Sequence, residues 1–334
     1  MKKNRITSLS EGIRFVSYSA VGGFEEKQGP LGEKFDFCDE SDKFGQDTWE
    51  IAEAEMGRIS LNIALSKANL SHGEIELLVA GDLQNQCVAS SIGLSSFGIP
   101  YLGVYGACST CTESLMILSS FMNSNKEMKY GAAITTSHNS AAERQFRTPI
   151  EYGGQRTPSA QWTATAGGSF ILGREGKTAI KEYMPGRIID GATSDGSNMG
   201  GAMAFAAADT ILNYFAETDY PNSHFDYIVT GDLGKVGSDI LTDILKKARP
   251  GLEKFHTDCG LLLYDFDKKD VHSGASGCGT SASVLSTHFL PLLDGGKIKR
   301  ILFLSTGALM SPSSLLQGEN IFGIAPLLNI ESVG

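Results

Sequence analysis

Segments of this 334-residue chain recur in the same order and with similar spacing. LLVAGDL (77–83) returns as YIVTGDL (227–233). Each copy is followed by a cysteine among small residues, Cys108 in GACSTCTES and Cys278 in GCGTSASV. In both cases 28 residues separate the cysteine from a threonine in the next apolar run. A match in both order and spacing indicates an internal repeat, although each fragment alone is a weak signal.

The repeat predicts two similar halves, residues 1–176 and 177–334, each with a mixed sheet. Short β-branched apolar runs alternate with helical patterns, which is typical of βαβ units and buried sheets. The predicted strands are 75–83, 101–106, 132–138, 168–173, 226–233, 259–266 and 300–309, and the helical patterns cover 47–68, 108–123, 202–215, 238–247 and 278–293.

The helical patterns that follow the two cysteines lack a polar face. TESLMILSSFM (112–122) and TSASVLSTHFLPLL (280–293) are apolar or small on nearly every side. A helix with no polar face is buried. We therefore predict an α/β fold of five layers, α/β/α/β/α, in which these two helices lie between the sheets and begin at one shared pocket.

Composition excludes several classes of function. A net charge of −10 argues against nucleic-acid partners, because no basic block is present to neutralise phosphates. No stretch is long and apolar enough for a signal peptide or a membrane span. Six scattered cysteines are typical of reduced cytosolic thiols. We therefore expect synthesis in the cytoplasm and no transmembrane segment.

The motif GACSTCT (106–112) resembles the nucleophile motif of the thiolase superfamily, which includes the ketoacyl synthases. Cys108 takes the nucleophile position, Thr110 and Thr112 match, and Cys111 stands where glycine is common. The positive end of a helix dipole stabilises a thiolate at such a position. From the residues alone, Cys108 remains a packing residue, a pocket wall or a nucleophile. Zinc and redox roles lack a second cysteine pair and a thioredoxin-like context.

Further motifs are more specific, and they resemble the stage V sporulation protein AD family. They are EEKQGPLGEKFD (25–36), AGDLQNQ (80–86), GACST (106–110), SHNSAAERQFRTPIEYGGQ (137–155), DCGLLLY (258–264), ASGCGTSA (275–282) and TGALMSP (306–312). The resemblance implies a thiolase fold, binding of dipicolinic acid or its calcium chelate, and a part in its uptake into the developing spore, with release at germination as a further role. It also implies other stage V sporulation protein A membrane subunits as partners, with peripheral attachment to the forespore or spore inner membrane.

Comparison with the condensing enzymes of the superfamily indicates that catalytic partners are missing. Asp232, in TGDLGKVGS, stands where a histidine often follows the second-half strand, and Cys278 or Gly279 stands where histidine or asparagine opens the second helix. A carboxylate beside Cys108 opposes formation of a thiolate. We therefore predict a non-catalytic protein without a cofactor or metal. The alternative is an acyl-CoA-dependent condensing or acyl-transfer enzyme that uses Cys108.

A local cationic cluster lies in SHNSAAERQFRTPIEYGGQRTP (137–158) and is predicted to cover the pocket. Arginine forks are suited to the two carboxylates of dipicolinate. The arginines could equally pair with Glu143 and Glu151 or stabilise a dimer, and a homodimer is a candidate assembly because superfamily members usually pair through an edge strand. The candidate ligand-binding residues are Cys108, His138, Arg144, Arg147, Gln155, Asp232, His256 and Cys278.

Overall fold

The computed structural model describes residues 5–146 and 156–334. Its strands are β1 (Thr7–Gly22), β2 (Phe37–Cys38), β3 (Leu78–Gly81), β4 (Tyr101–Gly103), β5 (Gly131–Ser137), β6 (Trp162–Thr163), β7 (Ala166–Gly173), β8 (Thr178–Met184), β9 (Ile189–Asp190), β10 (Tyr227–Thr230), β11 (His256–Asp258), β12 (Ala275–Ser276), β13 (Arg300–Leu304), β14 (Gly307–Leu309), β15 (Phe322–Ile324) and β16 (Leu327–Ser332). Its α-helices are α1 (Phe24–Lys27), α2 (Trp49–Ala68), α3 (Val88–Leu94), α4 (Thr110–Ser124), α5 (Asn139–Phe146), α6 (Met199–Thr218), α7 (Gly234–Ala248), α8 (Cys259–Leu262), α9 (Cys278–Val284), α10 (Leu290–Asp294) and α11 (Pro312–Leu316).

The strand order is the same in the two halves of the described chain. The first half runs β4-β3-β5-β7-β1 and the second runs β11-β10-β13-β16-β8, with β7 and β16 antiparallel to their neighbours. Antiparallel pairing of β1 with β8 joins the halves into one hydrogen-bonded path instead of two separate sheets. The predicted boundary between residues 176 and 177 falls in the turn between β7 and β8, and it stays a prediction.

Alternation along the strands separates three apolar layers. In β3, Val79 faces the central layer, whereas Leu78 packs in the layer beneath α2. In β10, Val229 faces the central layer and Ile228 packs in the layer of α6 and α7. Because successive side chains point to opposite faces of a strand, each sheet region is covered on both sides. The predicted five-layer arrangement is confirmed.

The central layer contains α4 and α9, as the sequence predicts. Leu115 and Leu118 of α4 are fully buried, as is nearly every residue of α9, which continues through a π-helical turn at Leu285–Phe289 into α10. Thr112 Oγ1 accepts a hydrogen bond of 2.9 Å from the backbone N–H of Ser305 in the second half. The described chain contains no helix whose length and hydropathy suit a bilayer span.

One predicted strand is wrong. Residues 259–266 were expected to be extended, but α8 occupies the start of this run and the strand, β11, ends at Asp258. A short buried apolar run cannot be assigned to strand or helix by periodicity. Here Asp258 ends the strand, and its carboxylate accepts hydrogen bonds from the backbone N–H groups of Leu233 (2.9 Å) and Gly234 (3.0 Å).

Candidate functional site

Cys108 lies in a tight turn immediately before α4. The turn is a short 3-10 helix, Ala107–Ser109, and Ala107 has a φ of +53°, which is in the left-handed region. Glu113 holds the turn by accepting a 2.6 Å hydrogen bond from Ser109 Oγ, and a Cβ on Gly106 would collide with that carboxylate. The local sequence therefore directs the Cys108 side chain to the start of the central helix, where it is 6% exposed.

Asp232 reaches Cys108 from the second half of the chain. It follows β10, is fully buried, and lies close enough to the Cys108 thiol to raise its pKa. Its hydrogen-bond donors are the N–H of Gly277 (2.9 Å), Ser276 Oγ (3.2 Å) and Thr306 Oγ1 (2.9 Å). Burial raises the pKa of Asp232 to about 6, although these donors favour its charged form.

The environment keeps Cys108 a thiol. Burial, and then the charge of Asp232, raises the pKa of Cys108 well above its ordinary value. The expected stabilisation of a thiolate by the helix terminus is therefore outweighed, because desolvation and a like charge both disfavour the anion. The arrangement is suited to a neutral pocket wall.

The second central helix also begins beside this site, at Cys278. The Cys278 thiol donates to the carbonyl of Thr136 at 3.0 Å, and burial raises its pKa well above the usual range. The N–H of Gly279 donates to Ser137 Oγ at 3.2 Å. A Cβ on Gly279 would lie 2.0 Å from the carbonyl oxygen of Ala166. Position 279 therefore has no room for the side chain of a histidine or asparagine.

A cavity of about 450 Å³ opens beside Cys108. Within the described ranges its lining contains one carboxyl group and no Lys, Arg or His. The wall is largely apolar and includes several side-chain hydroxyl groups. The lining residues are Leu83, Tyr105, Ala107, Cys108, Ala142, Glu143, Phe146, Thr163, Gly196, Ser197, Met199, Ser276, Ala308, Leu309, Met310 and Leu315. This volume lies in the range of small-molecule sites.

The described part of the cationic cluster is held in ion pairs. Arg144 pairs with Glu50 of α2 and does not line the cavity. Arg156 lies 3.3 Å from Glu143, and its guanidinium carbon is 4.8 Å from the centre of the Trp162 ring. The other two members predicted to bind ligand, Arg147 and Gln155, lie outside the described residues.

The two candidate histidines lie away from the cavity and are bonded elsewhere. His138 Nε2 donates to the carbonyl of Asp42 at 2.8 Å, the ring lies 5.4 Å from that of Trp49, and burial lowers its pKa. His256 Nε2 donates at 2.8 Å to Thr230 Oγ1, whose hydroxyl donates to Asp258. Burial lowers the pKa of His256 to about 4. Both rings are therefore neutral near pH 7.

The chain matches a known protein family over most of its length. A family model for Stage V sporulation protein AD (SpoVAD) matches residues 3–331. The chain belongs to this family. The Stage V sporulation protein AD of Bacillus subtilis (strain 168) is 40% identical over 319 residues, covering 95% of this chain and 94% of the relative. The family predicted from the motifs is confirmed, and the chain is a sporulation protein.

Solved structures similar to this SpoVAD-family chain share its fold at low identity. The tetronic acid condensing enzyme AbyA1 has a TM-score of 0.61 at 15% identity, with 95% of this chain and 99% of that one covered. For 3-oxoacyl-[acyl-carrier-protein] synthase III of Aquifex aeolicus VF5 the values are 0.57 and 14%, with 95% and 99% covered. These likenesses confirm the predicted thiolase-like fold and carry no further conclusion about activity.

The structure thus brings together Cys108, Asp232 and Cys278, and leaves His138, Arg144 and His256 apart. Sequence reasoning missed most of the wall of the cavity in this SpoVAD-family protein, including Thr163, Ser197 and Met310. Thr163 lies in the two-residue strand β6 and Ser197 in a loop, and no periodic pattern pointed to either residue. Ser276 and Met310 lie within the motifs ASGCGTSA and TGALMSP, and Tyr105 directly precedes GACSTCT. The nearness of Ser276 and Tyr105 to the two cysteines was the available signal.

Proposed function

We propose that this SpoVAD-family protein is a non-catalytic binding protein for dipicolinic acid, free or as its calcium chelate. It takes part in uptake of that ligand into the developing spore, with release at germination as a further role. The observation that carries the proposal is the cavity at Cys108, which has the size of a ligand site and is lined by a cysteine that burial and Asp232 keep a neutral thiol.

The chemistry of this site favours binding over catalysis. A condensing enzyme requires a thiolate and donors that stabilise an oxyanion. Here a carboxylate stands beside the thiol, and the backbone of Ala166 fills the space that a side chain at Gly279 would need. Both features oppose covalent chemistry at Cys108 and leave the pocket itself intact.

The cavity offers a flat aromatic acid complementary surfaces. Leu83, Phe146 and Met310 supply apolar walls for the ring, and the hydroxyls of Thr163 and Ser197 are candidate donors to carboxylates. Arg147 and Gln155 remain predicted ligand groups, on the sequence alone. Arg144, His138 and His256 are better explained as structural residues, because each has a partner away from the cavity.

The proposal is tested by thermal unfolding with dipicolinate, without and with calcium. A ligand at 100 times its Kd stabilises the folded state by about 2.7 kcal/mol, which raises the Tm measurably. The matched compound is isophthalate, which keeps both carboxylates and lacks the ring nitrogen. A Thr163→Val variant is expected to weaken the shift while folding normally. Absence of any shift with millimolar dipicolinate would contradict the proposal.

The second candidate function is an acyl-CoA-dependent condensing or acyl-transfer activity at Cys108. It is favoured by one observation, namely that Cys108 lines the cavity of a fold shared with condensing enzymes. Incubation with acyl-CoA followed by intact mass analysis tests it, with Cys108→Ala as the control. An acyl adduct on the parent chain that the variant lacks would favour this activity over simple binding.

For partners, we infer attachment to the spore inner membrane through other stage V sporulation protein A subunits, and pairing of two copies through β4. Among the described strands, β4 pairs with β3 alone, so its other edge is open. Residues 83–112 contain no Asp, Glu, Lys or Arg, and three apolar side chains in this uncharged segment are exposed, Val88 and Ile92 in α3 and Leu102 in β4. An uncharged open edge favours pairing of strands between chains.

A further inference from the structure

Asp232 is a buried carboxyl group one hydrogen bond away from the cavity. Its donor Ser276 and its neighbour Cys108 both line the cavity, so these two side chains stand between the carboxylate and the cavity. The remaining donors, Gly277 N–H and Thr306 Oγ1, are neutral. Within residues 5–146 and 156–334, no Lys, Arg or His forms an ion pair with Asp232.

The titratable groups packed around Asp232 add no positive charge. They are the thiol of Cys108 in the turn before α4, the thiol of Cys278 at the start of α9, the carboxyl of Asp258 in β11 and the thiol of Cys259 in α8. All four groups are neutral or negative. On the cavity side, the described charges are those of Glu143 and its partner Arg156.

An anion in this cavity would therefore lie near the negative charge of the Asp232 carboxylate, separated from it by buried side chains. Repulsion between like charges is strong where water is excluded, and it raises the pKa of a carboxyl group. A proton on Asp232 removes the repulsion. The surroundings accept that proton readily, because the neutral form can donate to the hydroxyl oxygen of Thr306 and no cation loses its partner.

We propose that Asp232 takes up a proton from solvent when a dicarboxylate enters the cavity, so that anion binding is coupled to proton uptake. This inference rests on the proposed function. Asp232 does not touch the ligand in this proposal. Its protonation state sets the pH at which the pocket accepts a dianion.

The coupling has a defined sign. Burial raises the pKa of Asp232 to about 6 in the free protein, and a bound anion raises it further. Between the free and bound values, binding takes up about one proton and affinity falls about tenfold for each pH unit of increase. Below about pH 6 the carboxyl group is already protonated, and affinity no longer depends on it.

Calorimetric titration of the full chain with dipicolinate, in buffers of different ionisation enthalpy, counts the protons taken up. For the parent protein we expect about one proton per ligand above pH 6, after subtraction of ligand-only blanks. Asp232→Asn should bind with no uptake and little pH dependence. Asp82→Asn is the matched control, since Asp82 holds the equivalent position in the first half, bonds Ser90 and does not line the cavity. It should behave like the parent.

Binding without proton uptake in the parent chain overturns the coupling and leaves the proposed function standing. The same uptake in Asp232→Asn also overturns it. If that variant fails to fold, Thr306→Val is used instead. Loss of this donor raises the pKa of Asp232, so the pH at which affinity begins to fall should move upward. An unchanged pH for the onset of the fall overturns the coupling. Absence of binding heat at every pH overturns the proposed function and the coupling together.

Discussion

The buried thiol of Cys108, at the start of the first central helix, lies beside the carboxylate of Asp232 from the other half of the chain, and this carboxylate raises its pKa. Under the proposed function, this contact makes Cys108 part of the wall of the pocket instead of a nucleophile. Thr306, Ser276 and the N–H of Gly277 hold the carboxylate in place. The contact therefore depends on the two halves being correctly packed.

Cys108 is expected to resist alkylation at neutral pH. Burial and the neighbouring carboxylate keep it protonated, and the thiolate is the reactive form. Asp232→Asn removes the like charge and should accelerate the reaction with iodoacetamide, followed site by site by peptide mass spectrometry. Cys38, which is half-buried and distant from Asp232, serves as the internal reference. Equal Cys108 rates in both proteins would show that Asp232 does not control the thiol.

The free energy of unfolding is expected to fall as pH rises from about 4.5 to about 7, in part through Glu26. Burial raises the pKa of Glu26 to about 7, so the folded state binds a proton that the unfolded chain releases near the ordinary pKa of 4.5. Stability from this group is therefore full at low pH and is lost as pH rises, by up to about 1.4 kcal/mol per pH unit.

Chemical denaturation across this pH range checks the prediction. Glu26→Gln should show a flatter pH dependence, although it will be less stable at acid pH because Gln matches the hydrogen bonds from Tyr264, Thr165 and Gly23 less well. An exposed acid, Glu40→Gln, is the control. A variant slope equal to that of the parent would remove Glu26 from the explanation.

The open edge at β4 is expected to hold two copies together. Ile92→Glu and Leu102→Lys place charges in this uncharged segment and should shift a dimer to monomer in analytical ultracentrifugation, since charges protect edges from pairing. Ile188→Glu is the matched control, because Ile188 is 64% exposed and lies elsewhere, beside β9. A parent chain that is monomeric at high concentration contradicts the pairing.

Gly279→Ala is expected to destabilise the protein strongly. The added Cβ would lie 2.0 Å from the carbonyl oxygen of Ala166, and backbone atoms in this close-packed layer cannot move aside cheaply. Overpacking of this kind typically costs about 1–3 kcal/mol. Thermal or urea unfolding measures the loss. Gly73→Ala, whose Cβ meets only Ser71 Oγ at 3.9 Å, should change stability little; equal losses in both would refute the steric reason.

Much of the fold was predictable because its signals are local. The repeated segments, the strands around LLVAGDL and YIVTGDL, and the two helices without a polar face follow from apolar spacing, and the structure places them as predicted. The strand predicted over residues 259–266 was wrong, because a short buried apolar run is compatible with either a strand or a helix. The family could also be predicted from the sequence, because motifs keep their order along the chain, and the replacement of the catalytic positions stays a prediction.

The site was decided by tertiary structure. From the sequence alone Cys108 stayed a packing residue, a pocket wall or a nucleophile, and only its burial beside Asp232 in the folded chain raises its pKa well above the ordinary value. Arg144 was predicted to face ligand, yet it pairs with Glu50, which is distant in sequence. The physical reason is common to both cases. Charge states and side-chain partners depend on desolvation and on neighbours from other elements. Strands, helices and repeats depend on the spacing of apolar residues along the chain, which the sequence shows directly.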